Sequence, residues 1–391
     1  MSDIVNTTKW KIKDIVLGAW LPRVYEKACA APIEKGKILF VEAKEDRLPD
    51  SFKVLYERLD NALGYEVEFV SLHQKRDSYA RYCLNCADML RKAATAKVVF
   101  LNDASDVLSC IALRNETKVV QLWHACGAFK KWGMSTADLK FGGSGDQKRR
   151  HPFYENLALV TVSSPEVVWA YAEAMDLEDR KDIIKPLGVS RTDVFFDDDF
   201  LSTARARVER VVPAVAEKKV LLYAPTFRGR VNSAKGPDAL DIARFQRALE
   251  GEYVLLIKHH PFVKNRPVVP EESRRFAFDV SDELPIDALL SVADICISDY
   301  SSLVFEYSLF ERPIVFFAFD KDEYDDWRGF YYDFDELTPG PVFDNNDNMV
   351  EYISSIEDRF DKSAVAAFRD RFMSACDGHA TERIIEAVLG E

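Results

Sequence analysis

The sequence has no run of about 20 apolar residues, the length that a helix needs to cross the hydrocarbon core of a membrane. Its N-terminus lacks the charged, apolar and small-residue order of a secretory signal peptide. Positive charge is also in deficit, because 65 acidic residues against 52 Lys and Arg give a net charge of −13. That balance argues against a protein that coats nucleic acid. We therefore expect a cytoplasmic protein with no nucleic-acid partner.

Cysteine and histidine are scarce as well. The seven cysteines are an odd number, and several lie in apolar, strand-like contexts, which is typical of reduced thiols rather than of a disulfide framework. Cys83 and Cys86 form a single C-x-x-C pair with no second pair or nearby histidine, so neither a zinc site nor a redox pair is favoured. We expect no metal ion and no cofactor.

What the sequence does contain is enough apolar material for two cores. It has 391 residues, of which 48% are hydrophobic and 12% aromatic, and this length exceeds the usual limit of one core. Predicted strands alternate with helical patterns, which indicates an α/β fold with parallel, doubly wound sheets. The predicted strands are 37–43, 67–72, 97–102, 118–123, 158–163 and 182–187, then 220–224, 253–258, 276–280, 295–298 and 313–318.

The two series of strands predict two Rossmann-like domains that face a cleft. We place them at residues 37–195 and 196–391, on either side of an acidic connector at Asp197–Asp199, with the final helical pattern at 365–389 packing back across both. Residues 1–36 form a separate N-terminal helical segment. Within it, residues 9–30 combine tryptophans and aliphatic residues with lysines, a pattern that suits either a membrane interface or a helix that caps the protein's own core. Pro22 is expected to break or kink this helix.

Two local patterns look like ligand-binding motifs but favour surface segments. Asp320-Lys321-Asp322 has the D-x-D spacing of a metal clamp, yet more acidic residues follow it, so a solvated acidic segment is favoured. The Gly-rich, basic residues 140–152 do not follow a strand and therefore do not form a dinucleotide fingerprint. We predict a mobile, positively charged loop there.

The stretch from Asp299 to Glu306 follows a short apolar strand signal and leads into a helical pattern. It places Ser301 and Ser302 at the start of that helix, where unpaired N–H groups and the helix dipole favour an anion, most often a phosphate. Ligands of open α/β sheets bind at the carboxyl ends of strands. Two serines at a helix start are also a common N-cap, and for an isolated pair that interpretation would be preferred.

Three further polar clusters lie at the ends of predicted strands. His124 is followed by small residues and a glycine, which leaves room for a substrate beside an imidazole that titrates near neutral pH. Thr226 precedes Arg228, whose guanidinium group suits phosphate oxygens. His259 and His260 share a third turn, with no further ligand at metal-binding spacing. Each group alone is explained as structural, but together they indicate phosphoryl transfer.

The clusters belong to motifs that resemble, in order, those of the CDP-glycerol glycerophosphotransferases of teichoic acid synthesis. The resemblance runs from about residue 37 to the end of the chain. It rests on KILFVEAKEDRLPDSFKVLYERL, QLWHACGAFKKWG, LYAPTFRG, IKHHP, ISDYSSLVFEY, RPIVFFAFDKDEY with RGFYYDF, PGPVF and DGHATER.

The resemblance implies two Rossmann-like domains in the architecture of B-type glycosyltransferases, with acceptor and nucleotide-donor sites in the N- and C-terminal domains. It implies transfer of glycerol phosphate from CDP-glycerol to a hydroxyl of a lipid-linked saccharide acceptor, with release of CMP. The enzyme would work at the inner face of the cell membrane, as a peripheral protein, and an oligomer is possible.

The resemblance also assigns residues. His124 corresponds to the proposed catalytic base, and His260 to a second functional histidine beside the donor's diphosphate. Glu306 is expected to accept hydrogen bonds from the donor's hydroxyls. The other positions that correspond to donor contacts are Ala125, Cys126, Gly127, Ala128, Arg191, Pro225, Thr226, Lys258, His259, Ser301 and Ser302.

Departures from the family's pattern leave alternatives open. Ala125-Cys126-Gly127 stands where many polymerases of the family have Gly-Thr-Pro, and the alanine is more similar to the primases, which add only the first unit. Lys258 and Glu306 replace residues that are often Arg and Asp, which keeps charge but changes reach. The donor could therefore be CDP-ribitol or a nucleotide sugar, and a non-catalytic nucleotide-binding scaffold of an envelope assembly complex is the alternative of another class.

Overall fold

The computed structural model describes residues 10–74, 76–140, 142–230 and 233–390, and it contains two six-stranded sheets whose paired strands are all parallel. The first sheet has the order β2-β1-β3-β4-β5-β6 and the second the order β12-β11-β10-β7-β8-β9. The strands are β1 Glu34–Glu42, β2 Glu66–Ser71, β3 Ala96–Leu101, β4 Lys118–Gln121, β5 Leu157–Thr161, β6 Ile184–Lys185, β7 Lys219–Tyr223, β8 Tyr253–Ile257, β9 Ala277–Asp279, β10 Ile295–Ser298, β11 Ile314–Phe317 and β12 Val342–Phe343.

Helices cover the sheets. In chain order they are α1 Leu21–Ala28, α2 Asp50–Asp60, α3 Tyr79–Ala93, α4 Asp106–Ser109, α5 Gly145–Arg150, α6 Val168–Met175, α7 Asp198–Val211, α8 Ile242–Leu249, α9 Ile286–Val292, α10 Leu303–Tyr307, α11 Lys321–Arg328, α12 Phe334–Leu337, α13 Asn346–Ser354, α14 Ile356–Arg359, α15 Lys362–Phe372 and α16 Ala380–Leu389.

The central strands are buried on both faces, which explains their continuous apolar runs. Every residue of β8, β10 and β11 is buried, as parallel strands covered by helices on two sides require. Full burial of one such leucine or phenylalanine side chain contributes about 1.5–3 kcal/mol. The predicted α/β fold with two sheets of this kind is therefore confirmed.

The final helical pattern is two helices, α15 and α16, separated by a turn in which Gly378 has a φ of +86°. Helix α16 returns to the first sheet, where Ile384 and Val388 join the core cluster of β1 and β3. Lys118 on β4 donates to the carbonyl oxygen of Val388 at 2.7 Å. The two sheets lie on either side of residue 195, and the limits of the predicted domains stay a prediction.

The N-terminal segment is helical from residue 10, and its residues 1–9 lie outside the described residues. A π-helical turn at Val16–Trp20 precedes α1, in whose first turn Pro22 lies. Leu17, Leu21 and Tyr25 are buried in the largest core cluster, so this helix caps the core. Its outer face keeps Ile15 64% exposed. Within the described part of the chain, no helix has the length and apolarity needed to span a membrane.

The prediction of a mobile loop at 140–152 is wrong for residues 145–150. They form α5, because Lys148 donates from Nζ to the carbonyl oxygen of Gly133 at 2.6 Å and anchors the segment. Arg150 also donates to Asp14 of the N-terminal helix at 2.5 Å. Residue 141 of that predicted loop lies outside the described residues.

Candidate functional site

The predicted site residues follow the carboxyl ends of the central strands of both sheets. His124 comes after β4, Thr226 after β7, His260 after β8 and Ser301 after β10. These strands are neighbours in their sheets, and loops at the carboxyl ends of parallel strands lie at the same edge.

His124 is positioned by strained backbone and by acceptors on its Nδ1 side. Trp123, directly before it, has a φ of +61°, a left-handed conformation that is unusual for a bulky residue and is found at functional sites. Nδ1 of His124 lies 3.3 Å from the carbonyl oxygen of Asn102 and 3.8 Å from Oδ1 of Asp103. These acceptors favour the hydrogen on Nδ1, which leaves the lone pair on Nε2 for a substrate proton.

The pKa of His124 is lowered from its ordinary value of 6.5. Although 46% of its side chain is exposed, the cleft around the ring removes water, and this loss outweighs the opposing effects of Asp103 and the Asn102 carbonyl. Lys44 pairs with Asp103 at 2.8 Å and adds to the decrease. A neutral imidazole at physiological pH is the state that a general base requires.

A buried network fixes Asn102, whose carbonyl faces His124. The side-chain amide of Asn102 donates to Oε2 of Glu42 at 2.6 Å, and Ser51 donates to its Oδ1 at 2.5 Å. Glu42 in turn accepts from the backbone N–H of Lys44 at 2.8 Å. Because these buried groups satisfy one another, the turn that holds the acceptor for His124 is rigid.

The small residues after His124 form a backbone turn against the second sheet. The side chains of Cys126 and Ala128 are buried, so their predicted donor contacts would involve backbone atoms. Ala125 accepts a hydrogen bond from the hydroxyl of Tyr171 through its carbonyl at 3.0 Å. Gly127 has a φ of +63°, and a Cβ there would lie 2.4 Å from the ring of Phe305, so only glycine fits.

Arg191 joins the loop of His124 to the helix that carries Glu306. Its Nε donates to Oε1 of Glu306 at 2.9 Å, its Nη2 donates to both carboxylate oxygens, and its Nη1 donates to the carbonyl oxygen of His124 at 3.3 Å. Burial by itself would lower the pKa of Arg191, but Glu306 raises it above its ordinary value.

Glu306, which is expected to accept hydrogen bonds from the donor's hydroxyls, is buried and paired with Arg191. Only 2% of the Glu306 side chain is exposed, and both of its oxygens accept from Arg191. A ligand therefore meets Arg191, whose side chain is 20% exposed, before it meets Glu306.

Two carboxylates hold the guanidinium group of Arg228, the residue that the sequence favoured as a phosphate ligand. It donates to Asp299 at 2.9 Å and to the two oxygens of Asp320 at 2.5 and 2.8 Å. Asp299 also accepts from the backbone N–H of Thr226 at 2.8 Å. Asp320 is thus not part of a solvated acidic segment, although Asp322 is exposed as expected.

Lys258 and the two histidines occupy the end of β8. Nζ of Lys258, a predicted donor contact, donates to the carbonyl oxygens of Ser281 and Leu284 at 2.7 and 2.6 Å and so is held by the protein's own backbone. Burial lowers the pKa of Lys258. The ring of His259 is buried, and burial lowers its pKa too. Nδ1 of His260 accepts from the backbone N–H of Phe262 at 3.2 Å, which places the ring hydrogen on Nε2.

The turn at Ser301 and Ser302 offers an anion a weaker helix dipole than the sequence predicted. Helix α10 has only five residues, so its dipole is small, and Ser302 makes no side-chain cap. Oγ of Ser301 accepts from the backbone N–H of Leu303 at 3.5 Å. Pro225 is buried beside Thr226, whose hydroxyl is also buried. Donor contacts of these residues stay a prediction.

A model of the family "CDP-Glycerol:Poly(glycerophosphate) glycerophosphotransferase" matches residues 24–390. The chain belongs to this family. The resemblance found in the sequence motifs is therefore confirmed, and with it membership of a family of teichoic acid transferases.

The relatives of this protein include primases and polymerases. It is 34% identical to a teichoic acid ribitol-phosphate primase of Bacillus spizizenii, over 91% of this chain and 92% of that protein. It is 35% identical to a teichoic acid poly(ribitol-phosphate) polymerase of the same organism, but spans 57% of that protein's length. It is 26% identical to a teichoic acid glycerol-phosphate primase of Bacillus subtilis, over 90% of this chain and 88% of that protein.

Solved structures show the same fold. The wall teichoic acid polymerase TagF superposes with a TM-score of 0.73 at 22% identity, covering 100% of this chain and 98% of that one. A UDP-N-acetylglucosamine 2-epimerase superposes with a TM-score of 0.55 at 13% identity, covering 91% of this chain and 96% of that one. These likenesses confirm the predicted two-sheet architecture of B-type glycosyltransferases.

Two residues of the candidate site, Asp103 and Lys130, were not predicted from the sequence. Asp103 gave no signal, since an acidic residue after a strand is common, and only the structure brings it to His124. Lys130 also gave no signal, since a lysine beside Lys131 is explained as a surface charge. In the parts of the chain that the structure describes, no three or more His, Cys, Asp or Glu side chains are grouped to hold a metal ion.

Proposed function

We propose that this protein transfers an alditol phosphate from a CDP-alditol to a hydroxyl of a lipid-linked saccharide acceptor, with release of CMP, in teichoic acid synthesis. The observation that carries the proposal is the geometry of His124, whose Nδ1 faces Asn102 and Asp103 and whose Nε2 is left to accept a proton. This arrangement occurs in a chain that the family model covers almost completely.

The reaction is an in-line displacement at phosphorus. His124 takes the proton of the acceptor hydroxyl through Nε2, and the oxygen forms a bond to the phosphorus that carries the alditol. The bond between that phosphorus and the bridging oxygen breaks, and CMP leaves with the electron pair. His260 donates from Nε2 to the diphosphate, since such reactions depend on positioning and charge stabilisation.

For the alditol we favour ribitol first and glycerol second. Support for ribitol comes from the relatives, because the ribitol-phosphate primase is 34% identical over 92% of its length, whereas the glycerol-phosphate primase of B. subtilis is 26% identical over 88%. Glycerol is supported by the family's description and by a structure of TagF soaked with CDPG, which has a TM-score of 0.75 with this chain.

Contact with the membrane surface is part of the proposal, because a lipid-linked acceptor is bound to a membrane. The N-terminal helix packs Leu17 and Leu21 into the core and leaves Ile12 and Ile15 exposed beside Lys11. Exposed apolar residues next to lysine suit the interface of an anionic membrane.

Release of the nucleotide product, which is CMP from a CDP-alditol and UDP from a UDP-sugar, tests the function. The wild-type protein is assayed with a lipid-linked saccharide acceptor and one of three donors, CDP-ribitol, CDP-glycerol or a UDP-sugar. We expect turnover with a CDP-alditol and none with the UDP-sugar. His124→Asn, which cannot act as a base, is expected to lower the rate by about 10²–10⁴-fold. His379→Asn, at an exposed position before α16, is the matched control.

The possible outcomes separate the hypotheses. Turnover with the UDP-sugar only would indicate a sugar transferase. No turnover with any donor and acceptor would favour a non-catalytic scaffold. CMP release that is unchanged in His124→Asn would show that this histidine is not the base.

A further inference from the structure

The cations that the sequence offered for the donor's diphosphate are largely engaged with protein groups. Arg191 is paired with Glu306, and Arg228 is paired with Asp299 and Asp320. A diphosphate in this cleft carries two negative charges and requires compensating donors. A further cation facing the site would supply what these pairs do not.

Lys130 is a candidate for that cation, because it lies in the loop that leaves the turn after His124 and the charges of Asp299 and Arg228 act on it. It forms an isolated antiparallel bridge with Phe330, a residue that follows the second sheet's helix α11. The backbone N–H of Lys131 donates to the carbonyl oxygen of Gly329 at 3.0 Å, and that of Tyr331 donates to Phe129 at 3.0 Å. These bonds hold a lysine of the N-terminal half against the C-terminal half.

The ammonium group of Lys130 has no internal partner to explain its position. Across the described ranges, no hydrogen-bond acceptor is in reach of its Nζ, and no carboxylate lies within the 4.0 Å of an ion pair. The side chain is half-buried, and the charges that act on it are those of Arg328, Asp299 and Arg228. Nζ of Lys130 is open to solvent, so an anion that enters the cleft can reach it.

Burial and the two arginines lower the pKa of Lys130 to about 7, against the opposing effect of Asp299. A group in this range gains a proton readily when an anion binds beside it. The electrostatics therefore agree with the geometry, in which an anion is the missing neighbour.

A second unsatisfied group lies beside the same carboxylate. The hydroxyl oxygen of Thr226 is buried and has no hydrogen-bond partner among the described residues, and the residue is 5% exposed. Its backbone N–H is bound to Asp299, the carboxylate that acts on Lys130. Both residues are thus related to Asp299, and an ammonium and a hydroxyl are both donors that suit phosphate oxygens.

We propose that Lys130, a residue of the N-terminal half, binds the diphosphate of the nucleotide donor together with groups of the C-terminal half. This inference rests on the proposed function for the identity of the nucleotide. It goes beyond that function by naming a binding residue and by making the contact one that forms between the two halves of the protein.

Titration calorimetry with Lys130→Met tests the proposal, because methionine keeps the apolar stem and removes the charge. Lys131→Met is the matched control. The ligands are CDP-ribitol, CDP-glycerol, a UDP-sugar and CMP. We expect Lys130→Met to weaken binding of the diphosphate ligand by roughly 10–100-fold, the loss of one charge-assisted hydrogen bond. We expect a smaller loss for CMP and none in Lys131→Met, with the melting temperature of each variant checking its fold.

The pH dependence gives a second measurement. Binding of the diphosphate ligand to the wild-type protein should weaken as the pH rises above about 7, because Lys130 then loses its proton before the ligand binds. The dependence should be reduced in Lys130→Met and retained in Lys131→Met. Equal affinities of the wild-type protein and Lys130→Met for the diphosphate ligand would overturn the proposal. If the wild-type protein bound only the UDP-sugar and Lys130→Met weakened that binding, the role of Lys130 would be upheld and the proposed donor refuted. A wild-type protein that binds none of the nucleotides would overturn both the role of Lys130 and the proposed function.

Discussion

The pair of Arg191 and Glu306 allows a quantitative test of how the cleft is held together. Glu306→Leu replaces the carboxylate by an apolar side chain of similar volume. Arg191 then keeps its charge with no anion beside it. Removal of one partner of a buried ion pair costs about 3–5 kcal/mol, because the remaining charge is uncompensated. The pair qualifies as buried, since the two side chains are 20% and 2% exposed.

The loss should be visible as a change in melting temperature. For domains of about 150–250 residues, 1 kcal/mol corresponds to about 2–4 °C, so Glu306→Leu is expected to lower the melting temperature by roughly 6–20 °C. Replacing both residues, in Arg191→Met with Glu306→Leu, removes the unpaired charge. The double variant should therefore be less destabilised than the sum of the two single variants.

A surface pair provides the control. Arg58 and Glu382 are in contact at 2.6 Å, but their side chains are 57% and 56% exposed. Exposed pairs contribute about 0–1 kcal/mol, so Glu382→Leu should shift the melting temperature by at most a few degrees. If Glu306→Leu melted as Glu382→Leu does, or if the effects of the two single variants simply added, the pair would not organise the cleft in the way described.

Two further predictions concern His124 and the N-terminal helix. Asp103→Asn should lower the rate and move the acidic limb of the pH profile of kcat/KM to lower pH, because Asp103 raises the pKa of His124. If that limb stayed at the same pH in Asp103→Asn, the carboxylate would not act on the base. Ile12→Ser with Ile15→Ser should reduce co-sedimentation with vesicles that contain anionic lipid, while Ile385→Ser, in the C-terminal helix, should not. Equal sedimentation of all three proteins would exclude the N-terminal helix as the contact.

The sequence predicted the two sheets because their strands are apolar on both faces and are separated by recognisable helical patterns. β12 was missed, since Val342–Phe343 is two residues long and only partly buried, so it has no periodicity to detect. The last helices were merged into one because Asp377-Gly378 is a short interruption, and Gly378 ends the pattern only through its φ of +86°.

Residue type and position were enough to propose a site, but they did not indicate how its charges are paired. Arg191 and Glu306 are separated by 115 residues, and nothing in either local sequence indicates that they are paired. The same holds for Arg228, which the sequence favoured as a phosphate ligand and the fold places between two aspartates. A basic residue at a strand end is available to a ligand only where the fold brings no carboxylate to it, and that depends on contacts between distant segments.

This distinction gives the cleft two kinds of cation with different roles. Arg191 is fixed by Glu306 and contacts the carbonyl of His124, so it sets the distance between the base and the second sheet before any ligand binds. Lys130 has no such partner, and its pKa of about 7 lets its charge follow the arrival of an anion. A site whose charges were all free would repel itself when empty, whereas one whose charges were all paired would hold a diphosphate weakly. Pairing the arginines and leaving one lysine unpaired avoids both, because the cost of an isolated charge is limited by release of a proton until the donor supplies the partner.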